Sequence, residues 1–411
     1  MVKVKTQTIN SKVRRSPFRS FRLDVRTGQI TMTTKPNISP QDQKAIRELR
    51  ELVSEDISPY YDTDFNLLRW LKGHNYKIEE IVPKLRNHLT FRKSNWDLDH
   101  LADRARDHPI HGHWRPGLTG ESGKVPNTIV NIEQTGTNDY WGMLQTYPLN
   151  EILKARIHDL ETMLRAVMDK ESKTGEQTSI LYIMDLNGLQ FDKKLITLLT
   201  GVLASISTFM SEHYVEMVHS FVLVNAPMFI STIWKIAYPL LPERTKNKVK
   251  IFGSNWRNEI LDLANPDVLP AYWNIPGEPE VFHGNVLRSV PFPIEGYYKG
   301  GMLDERAKTF TVSASKIGFI DRIGEAKQKL KWTFETDGHF AYGIYYCKDP
   351  GEVDITKMEC VYPRFNKIPG PTFVPFRDEV ILPYSGTYKF WFSNEHAWIH
   401  TLKIRYFITI E

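Results

Sequence analysis

SILYIM at residues 179–184 and SFVLV at residues 220–224 are two short apolar runs in the middle of the chain, and a longer apolar stretch at residues 195–210 lies between them. Short runs of this kind are typical of buried strands, whereas the longer stretch has the length of a helix. The segment therefore predicts a strand, a helix and a second strand, the repeating unit of an α/β fold.

The same alternation extends to both sides of this segment. We predict further strands at residues 128–132 and 249–252, and further helices at residues 149–169, 229–241 and 258–264. Strands and helices in alternation imply a largely parallel sheet with helices packed on it.

The residues before this region are predicted to be helical. Ser39 followed by Pro40 is a typical helix start, with a serine cap and a proline at the first helical position. Two more helices are predicted at residues 65–72, where Gly73 ends the helix, and at residues 77–93. Pro83 lies inside the last of these, so we expect it either to bend the helix or to mark its true start.

A Pro- and Gly-containing stretch at residues 270–293 precedes a region with a different period. Apolar residues alternate with polar ones within residues 332–342, 388–392 and 402–410, as in strands with one buried face. Asp337-Gly338 and Ser385-Gly386 are typical of hairpin turns. This region is predicted to be an antiparallel β-sandwich.

Length and composition limit the class of protein. A chain of 411 residues exceeds one hydrophobic core, so we expect two domains and a smaller helical part. The stretch at 195–210 contains Thr and Ser and is too short to span a bilayer, so we predict no transmembrane helix. The N-terminus lacks an apolar segment of the kind found in secretory signals, so we predict no such signal. Cys347 and Cys360 are too few for a disulfide framework and lack the His neighbours of structural zinc. We expect a cytoplasmic location.

The positive charge is concentrated at the N-terminus. Residues 1–40 contain nine Lys or Arg and only one acidic residue, Asp24. The net positive charge of this segment alone therefore exceeds the net charge of +5 of the whole chain. The folded part is therefore slightly acidic, which argues against a nucleic-acid binder. The basic arm is interpreted either as a tether to anionic membranes or a targeting segment, or as a disordered extension upstream of an alternative start at Met32.

Five short strings, in one order, resemble the signature of the CRAL-TRIO family of lipid-binding proteins. They are DFNLLRWLK at 64–72 with FRK at 91–93, YIMDLNG at 182–188, VNAP at 224–227, LPERTKNK at 241–248, and IFGSNW at 251–256 continuing to Leu269-Pro270. Residues 296–411 resemble a GOLD (Golgi dynamics) domain, and the two together resemble the supernatant protein factor or tocopherol-associated subgroup. Each string alone is weak, but five in one order are specific.

The resemblance implies a domain plan. It places a basic arm at residues 1–38, an N-terminal helical subdomain at 39–105, a CRAL-TRIO α/β lipid-binding domain at 106–276, a linker at 277–295 and a jelly-roll-like GOLD sandwich at 296–411.

A lipid pocket is indicated by an excess of apolar residues in the predicted helix at 195–210. With Leu203, Phe209 and Met210, the helix has more apolar residues than one face buried in a core requires. Either part of this apolar surface lines a cavity, or the whole helix is buried in a core. The resemblance implies that residues 229–241 form a gate over the pocket, with core packing as the alternative for each residue. The predicted pocket and gate residues are Tyr182, Met184, Leu203, Phe209, Met210, Met228, Ile230, Ile233, Trp234 and Leu240.

The resemblance also implies a headgroup site for phosphatidylinositol. Glu216, Thr245 and Lys248 match three of its polar positions, but His74 and Asn75 stand where a basic pair is expected. A mostly neutral imidazole and an amide do not replace two fixed charges on a phosphate. We predict His74, Glu216, Thr245 and Lys248 as possible headgroup residues, with ordinary surface charge as the alternative for Glu216 and Lys248.

The phosphatidylcholine-type positions depart further, because Ile180 and Tyr182 stand where small hydroxyl residues are expected. These departures favour a hydrophobic ligand with a small headgroup, such as a tocopherol, squalene or a retinoid-like molecule. Phosphoinositide remains the alternative.

Catalytic and metal motifs are incomplete. The segment at 120–124 resembles a P-loop, but Leu118 and Val125 stand where Gly and Ser or Thr are needed. His111 and His113 have no evident third ligand, and no nucleophile motif accompanies His213. We therefore predict no enzyme, no metal and no cofactor besides a lipid.

Two functions remain open. The first is binding of a lipid in a gated pocket and its transfer between membranes or presentation to a protein partner, with transient contact to a membrane surface. The second is a trafficking or signalling adaptor that binds its partner through the GOLD-like domain, with lipid as a regulatory ligand.

Overall fold

The computed structural model describes residues 34–115, 117–241, 243–301 and 303–411. Most of the predicted basic arm, residues 1–33, lies outside this part of the chain, as does Pro242 of the fourth motif.

The α-helices of the described residues are distributed over the first two thirds of the chain. They are α1 (Pro40–Leu52), α2 (Asp64–Gly73), α3 (Ile78–Arg92), α4 (Leu98–Leu101), α5 (Ile110–His113), α6 (Tyr140–Thr146), α7 (Leu149–Thr174), α8 (Lys193–Thr200), α9 (Val202–His213), α10 (Ile230–Ala237), α11 (Glu243–Lys246) and α12 (Trp256–Glu259).

The strands fall into a central and a C-terminal group. The central strands are β1 (Leu118–Glu121), β2 (Thr128–Glu133), β3 (Ser179–Asp185), β4 (Val218–Val224) and β5 (Val249–Ile251). The C-terminal strands are β6 (Lys308–Val312), β7 (Ile317–Gly324), β8 (Lys329–Thr336), β9 (Phe340–Cys347), β10 (Glu359–Ile368), β11 (Phe376–Ile381), β12 (Gly386–Ser393) and β13 (Leu402–Ile410).

The first helices start where local chemistry places them. The Oγ of Ser39 accepts a hydrogen bond of 3.1 Å from the backbone N of Asp42, and Pro40 occupies the first turn of α1. Helix α3 begins at Ile78 and runs through Pro83, so Pro83 does not mark its start.

The helix predicted at 195–210 is two helices. Gly201, with φ −108° and ψ −105°, separates α8 from α9 because these angles are not helical. A Cβ at this position would lie 2.8 Å from the carbonyl oxygen of Thr197, so the close approach requires glycine. Sequence periodicity missed the break because the apolar pattern continues across it.

The central sheet has the order β1-β2-β3-β4-β5. Strands β2 to β5 are parallel, and β1 pairs with β2 in the antiparallel sense. The parallel strands agree with the alternation of strands and helices in the sequence.

The two faces of this sheet belong to different cores. Ile180 and Tyr182 of β3 pack with α7 and the N-terminal helices, whereas Leu181 and Ile183 pack with Trp256 and other residues after β5. Successive side chains of a strand point to opposite faces, which explains the division.

The C-terminal strands form two antiparallel four-stranded sheets, with the orders β10-β9-β12-β7 and β11-β8-β13-β6. Aromatic residues fill the space between them; the rings of Phe334 and Tyr342, from opposite sheets, lie 5.0 Å apart. Asp337-Gly338 and Ser385-Gly386 each join strands of opposite sheets, so the prediction that they form hairpins was wrong. A turn dipeptide fixes the local reversal but not the partner strand.

The sandwich and the central unit share one apolar core. The rings of Trp96 and Phe365 lie 5.4 Å apart, and the backbone N of Asn95 donates a 3.2 Å hydrogen bond to the carbonyl oxygen of Val361. Strand β10 is thereby held against α3, α9 and the residues that follow α3.

Candidate functional site

A cavity of 890 Å³ lies between the central sheet and helices α8, α9 and α10. This volume falls within the range of small-molecule binding sites. Strands β3 and β4 form one wall, and the three helices form the opposite one. Much of its lining is apolar, including Leu195, Leu199, Ile206, Phe221 and Leu223.

Most of the predicted pocket and gate residues meet in this cavity. The lining includes Tyr182, Met184, Leu203, Met210, Ile230, Ile233, Trp234 and Leu240. These residues come from β3, from α9 and from the segment that begins at α10, so the fold brings together three distant parts of the sequence.

Two predicted residues lie elsewhere. The ring of Phe209 lies 5.3 Å from that of Phe91 and 4.5 Å from that of His213, in the apolar core beside the sandwich. Met228 precedes α10 and is 99% exposed. Helical spacing identified the apolar surface of α9 but could not distinguish the part that faces Phe91 from the part that faces the cavity.

Helix α10 closes the cavity without being fixed in a core. Among its residues only Ile233 is buried, although Ile230 and Trp234 also line the cavity. A 3₁₀ turn, Tyr238–Leu240, continues the segment through Pro239. Helix α10 therefore contributes few buried side chains to the packing against the sheet.

The four predicted headgroup residues lie together at the polar edge of the cavity. The Nζ of Lys248 donates to Glu216 Oε2 at 2.8 Å and to the carbonyl oxygen of Val218 at 2.7 Å. His74 stacks on Trp70, with ring centroids 5.5 Å apart, and burial lowers its pKa below the ordinary value. His74 is therefore neutral at neutral pH.

Two cations at the same edge were missed by sequence reasoning. Lys84 and Arg244 line the cavity, and neither forms an ion pair within the part of the chain that the structure describes. The charges of both residues also lower the pKa of His74, after the larger effect of burial, which places them near its ring. Arg244 lies inside the fourth motif, but the sequence does not show that its side chain faces the cavity.

Gly73 allows Arg244 to approach the end of α2. A Cβ at position 73 would lie 2.1 Å from Val215 Cγ1 and 3.0 Å from Arg244 Nη1. The glycine that ends the helix therefore also makes room for the arginine beside His74.

A buried polar cluster forms the other end of the cavity. Glu133 Oε1 accepts hydrogen bonds from Trp114 Nε1 at 2.8 Å and Tyr140 OH at 2.8 Å. Tyr182 OH donates to Glu133 Oε2 at 2.8 Å and accepts from Arg156 Nη2 at 2.6 Å. Burial raises the pKa of Tyr182 well above its ordinary value, so the phenol stays protonated. Sequence reasoning had assigned only Tyr182 to the pocket.

The sandwich contributes to the cavity wall. Arg364 and Asn366 of β10 line the cavity, and Asn366 Nδ2 lies 3.2 Å from Glu212 Oε2 of α9. Ser205 Oγ donates to the carbonyl oxygen of Lys367 at 2.8 Å. Helix α9 is therefore held by the sandwich on one side while its other side faces the cavity.

Among the described residues, no cluster of three or more His, Cys, Asp or Glu side chains could hold a metal ion. In the same part of the chain, one segment, Lys193–His213, is long and apolar enough to cross a membrane by length and composition. It extends beyond residues 195–210 at both ends, so the prediction that those residues do not span a bilayer stays a prediction. The segment comprises α8 and α9, which line the cavity.

Comparison with protein families matched three parts of the chain. Residues 126–274 match the model of the CRAL/TRIO domain, residues 38–101 match a domain of unknown function (DUF8435), and residues 298–411 match a model described as an F28H7.8-like C-terminal domain. The last description does not mention GOLD, so the GOLD identity of the sandwich stays a prediction.

Known proteins match either most of this chain or a part of it. The CRAL-TRIO domain-containing protein F28H7.8 of Caenorhabditis elegans is 27% identical over 88% of this chain and 89% of its own length. The phosphatidylinositol/phosphatidylcholine transfer protein SFH14 of Arabidopsis thaliana is 23% identical over 61% of this chain and 48% of its own. The crystal structure of Sfh5 overlaps 63% of this chain and 95% of its own, at 12% identity and a TM-score of 0.44. Residues 126–274, which form most of the central α/β unit, match the CRAL-TRIO domain family.

Proposed function

We propose that this protein binds one hydrophobic lipid in the cavity beneath α10 and transfers it between membranes or presents it to a protein partner. The observation that carries the proposal is the 890 Å³ cavity, lined largely by apolar side chains and covered by a helix with one buried residue. CRAL-TRIO family members are lipid-binding and lipid-transfer proteins. The predicted absence of catalytic residues agrees with this role.

Energetics explain why such a cavity needs a movable cover. Each buried methylene is worth roughly 0.8 kcal/mol, so exposing about thirty methylenes of a diacyl lipid to water costs on the order of 24 kcal/mol. The lipid must pass between bilayer and cavity without entering water. Helix α10 opens against the membrane, where acyl chains solvate Ile230 and Trp234.

The preferred ligand carries one small polar group, as in a tocopherol or a retinoid-like molecule. Squalene is the candidate ligand that has no polar group. Thr135 Oγ1 lines the cavity, is buried and has no hydrogen-bond partner among the described residues. A ligand hydroxyl beside Thr135 would satisfy it. The neighbouring Glu133, Tyr182 and Arg156 already bond to one another, which leaves little capacity for a large charged headgroup there.

A phosphoinositide is the second candidate, and one observation favours it. Lys84 and Arg244 place two cations at the edge of the cavity near His74, although the sequence has no basic pair after Lys72. A phosphate at that edge would bind Arg244 in the bidentate geometry that guanidinium groups favour.

Location and the C-terminal region complete the proposal. Cys347 and Cys360 are both free, which suits a reducing cytoplasm with transient binding to membranes. The strand orders of the two C-terminal sheets support a jelly-roll topology, since every consecutive pair except β9 and β10 lies in opposite sheets. A GOLD-like role in partner binding rests on that topology alone.

Vesicle-to-vesicle transfer of a fluorescent tocopherol or phosphatidylinositol analogue tests the function. Ile230→Asp with Trp234→Asp places charge on the cavity side of α10 and is expected to abolish loading and transfer. Ser231→Asp, at an exposed position on the same helix, is the matched control and is expected to transfer as the wild type does.

Two results would contradict parts of this proposal. Unchanged loading in the double variant would refute the assignment of α10 as the gate. A bound lipid together with transfer no faster than background would favour the adaptor function, in which the sandwich binds a partner and the lipid regulates it.

A further inference from the structure

One end of the C-terminal sandwich carries two adjacent apolar side chains in water. Residues 394–401 join β12 to β13, and within this loop Trp398 and Ile399 are 94% and 92% exposed. Other tryptophans of the sandwich, Trp332 and Trp391, are buried. Large exposed apolar groups that are adjacent mark interaction sites more often than single exposed residues do.

The loop is held firmly by its own hydrogen bonds. Asn394 is fully buried, and its Nδ2 donates to the carbonyl oxygens of Val312 at 3.0 Å and His400 at 2.8 Å. Ser315 Oγ donates to the carbonyl oxygen of Ala397 at 3.1 Å. Both ends of the loop are thus fixed to the sandwich, so the fold presents Trp398 and Ile399 outward.

Three exposed lysines surround this loop. The backbone of Asn394 bonds to that of Lys316 at 2.9 Å, and the backbone N of Lys403 donates to Asp337 Oδ1 at 2.9 Å, the same oxygen that lies 3.1 Å from His400 Nε2. The backbone N of Gly370, three residues after Lys367, donates a hydrogen bond to His339 Nδ1. The ring of His339 in turn lies 6.3 Å from that of His396 in the loop.

The charge around the loop is unbalanced. Within the described chain, Lys316, Lys367 and Lys403 form no ion pairs. Two acids lie near the loop as well: Asp337 contacts His400, and Glu395 accepts from Ser393 Oγ at 2.8 Å. The three lysines outnumber these two acids, so positive charge is in excess beside the apolar tip.

We propose that residues 394–401 insert Trp398 and Ile399 into the surface of an anionic bilayer. A tryptophan ring favours the membrane interface because one edge is polar, and lysines near the surface are attracted to anionic lipids. A protein partner is less favoured, because two projecting side chains supply much less than the ~800 Å² that each side of a stable interface buries. A fluid bilayer needs no matching groove.

The position of the loop connects membrane binding to the cavity. His339, Pro369 and Phe373, at the same end of the sandwich, form a second cavity of 340 Å³ together with Thr197, Thr200 and Gly201 of the α8–α9 segment. Helix α8 also contacts α10. The loop thus anchors the part of the protein that holds the movable cover, and this anchoring does not depend on which lipid the cavity takes.

Flotation of the full chain with vesicles tests the inference. The probes are vesicles of phosphatidylcholine alone and of phosphatidylcholine with phosphatidylserine. Trp398→Ser with Ile399→Ser removes the apolar tip, while Lys316→Gln, Lys367→Gln and Lys403→Gln together remove the charge. Ile323→Ser is the matched control, because Ile323 is 81% exposed at the other end of β7, where it pairs with Thr387 instead of Ser393.

We expect phosphatidylserine to strengthen binding of the wild type, and the tip variant to bind at least about tenfold more weakly, the effect of losing roughly one buried apolar side chain. The charge variant should lose the preference for phosphatidylserine, and Ile323→Ser should bind as the wild type does. Equal binding by the tip variant, no preference of the wild type for phosphatidylserine, or an equal loss in Ile323→Ser would each overturn the inference.

A second readout separates this inference from the lipid-pocket proposal. Native mass spectrometry of the tip variant should show the same bound lipid as the wild type and, by equal thermal melting, an intact fold. An empty cavity with intact vesicle binding would sink the pocket proposal and leave the loop assignment standing.

Discussion

Arg156 Nη2 donates a 2.6 Å hydrogen bond to the hydroxyl of Tyr182, which in turn donates to Glu133. Arg156 and Glu133 are 4% and 7% exposed, so the relay compensates two charges at the buried end of the cavity. Burial alone would oppose the charge on each residue, and the fold tolerates them because they occur together.

Removing one partner of this buried pair should be costly. Arg156→Ala leaves Glu133 without its counter-ion, and we expect the free energy of unfolding to fall by about 3–5 kcal/mol. Urea denaturation measures the change. Arg377→Ala is the control: this arginine is 56% exposed and lies 3.4 Å from Glu151, so a change of about 0–1 kcal/mol is expected. A loss for Arg156→Ala as small as the control's would contradict the assigned role.

The close packing at the end of α2 makes a second prediction. Gly73→Ala places a methyl group 2.1 Å from Val215 Cγ1, and such overpacking costs about 1–3 kcal/mol of stability. A Cβ at Gly253 would meet nothing within 4 Å, so Gly253→Ala should change stability little. Thermal or urea unfolding compares the stability of the two variants. Equal stability of Gly73→Ala and Gly253→Ala would show that α2 can move away from Val215.

The cations at the cavity edge predict a change in lipid preference. Lys84→Ala with Arg244→Ala should reduce binding of phosphatidylinositol phosphate at least about tenfold, since charge-assisted bonds to a phosphate are worth about 1.5–3 kcal/mol each. Binding of tocopherol should be unchanged. Arg47→Ala, an exposed cation on α1, controls for general charge. Competition between the two lipids is read by mass spectrometry, and a double variant that kept the wild-type preference would contradict the assignment.

A buried histidine pair predicts sensitivity to acid. Burial, with a smaller effect of the Arg92 charge, lowers the pKa of His213 to about 3, and His213 Nδ1 lies 3.0 Å from His88 Nδ1. Between pH 6.5 and 3 the unfolded chain binds a proton at His213 that the folded chain does not, so stability is present above this range and falls as pH falls.

His213→Asn removes this proton uptake. Between pH 6.5 and pH 5 the wild type should lose about 1.5–2 kcal/mol more stability than the variant. Urea unfolding over that range measures the two curves. Parallel curves would mean that His213 titrates alike in the folded and unfolded chains.

Much of the fold was predictable because local pattern and global structure agree. The runs around Tyr182 and Val222 are short, apolar and bounded by polar residues, and both became parallel strands of the central sheet. The apolar excess of α9 indicated either a cavity lining or a buried core, and the structure places Leu203 and Met210 in the cavity lining. In each case the period of the side chains determines which surface is buried.

The remainder depends on contacts between residues distant in sequence. Phe209 and Met210 belong to the same apolar stretch of α9, and the sequence placed both in the pocket. In the structure, the ring of Phe209 packs against Phe91 and Phe365 instead. The pairing of Glu133 with Arg156 and the approach of Arg244 to Gly73 join separate segments, so no local pattern carries them. The break at Gly201 was missed because one glycine in an apolar run is also compatible with a continuous helix.

The central claim is that a lipid occupies the 890 Å³ cavity beneath α10, and native mass spectrometry of the purified full chain tests it most directly. We predict a protein ion heavier than the chain by the mass of one lipid, which solvent extraction releases and identifies. Ions of the bare chain in every preparation, including after incubation with tocopherol or phosphatidylinositol vesicles, would contradict the account.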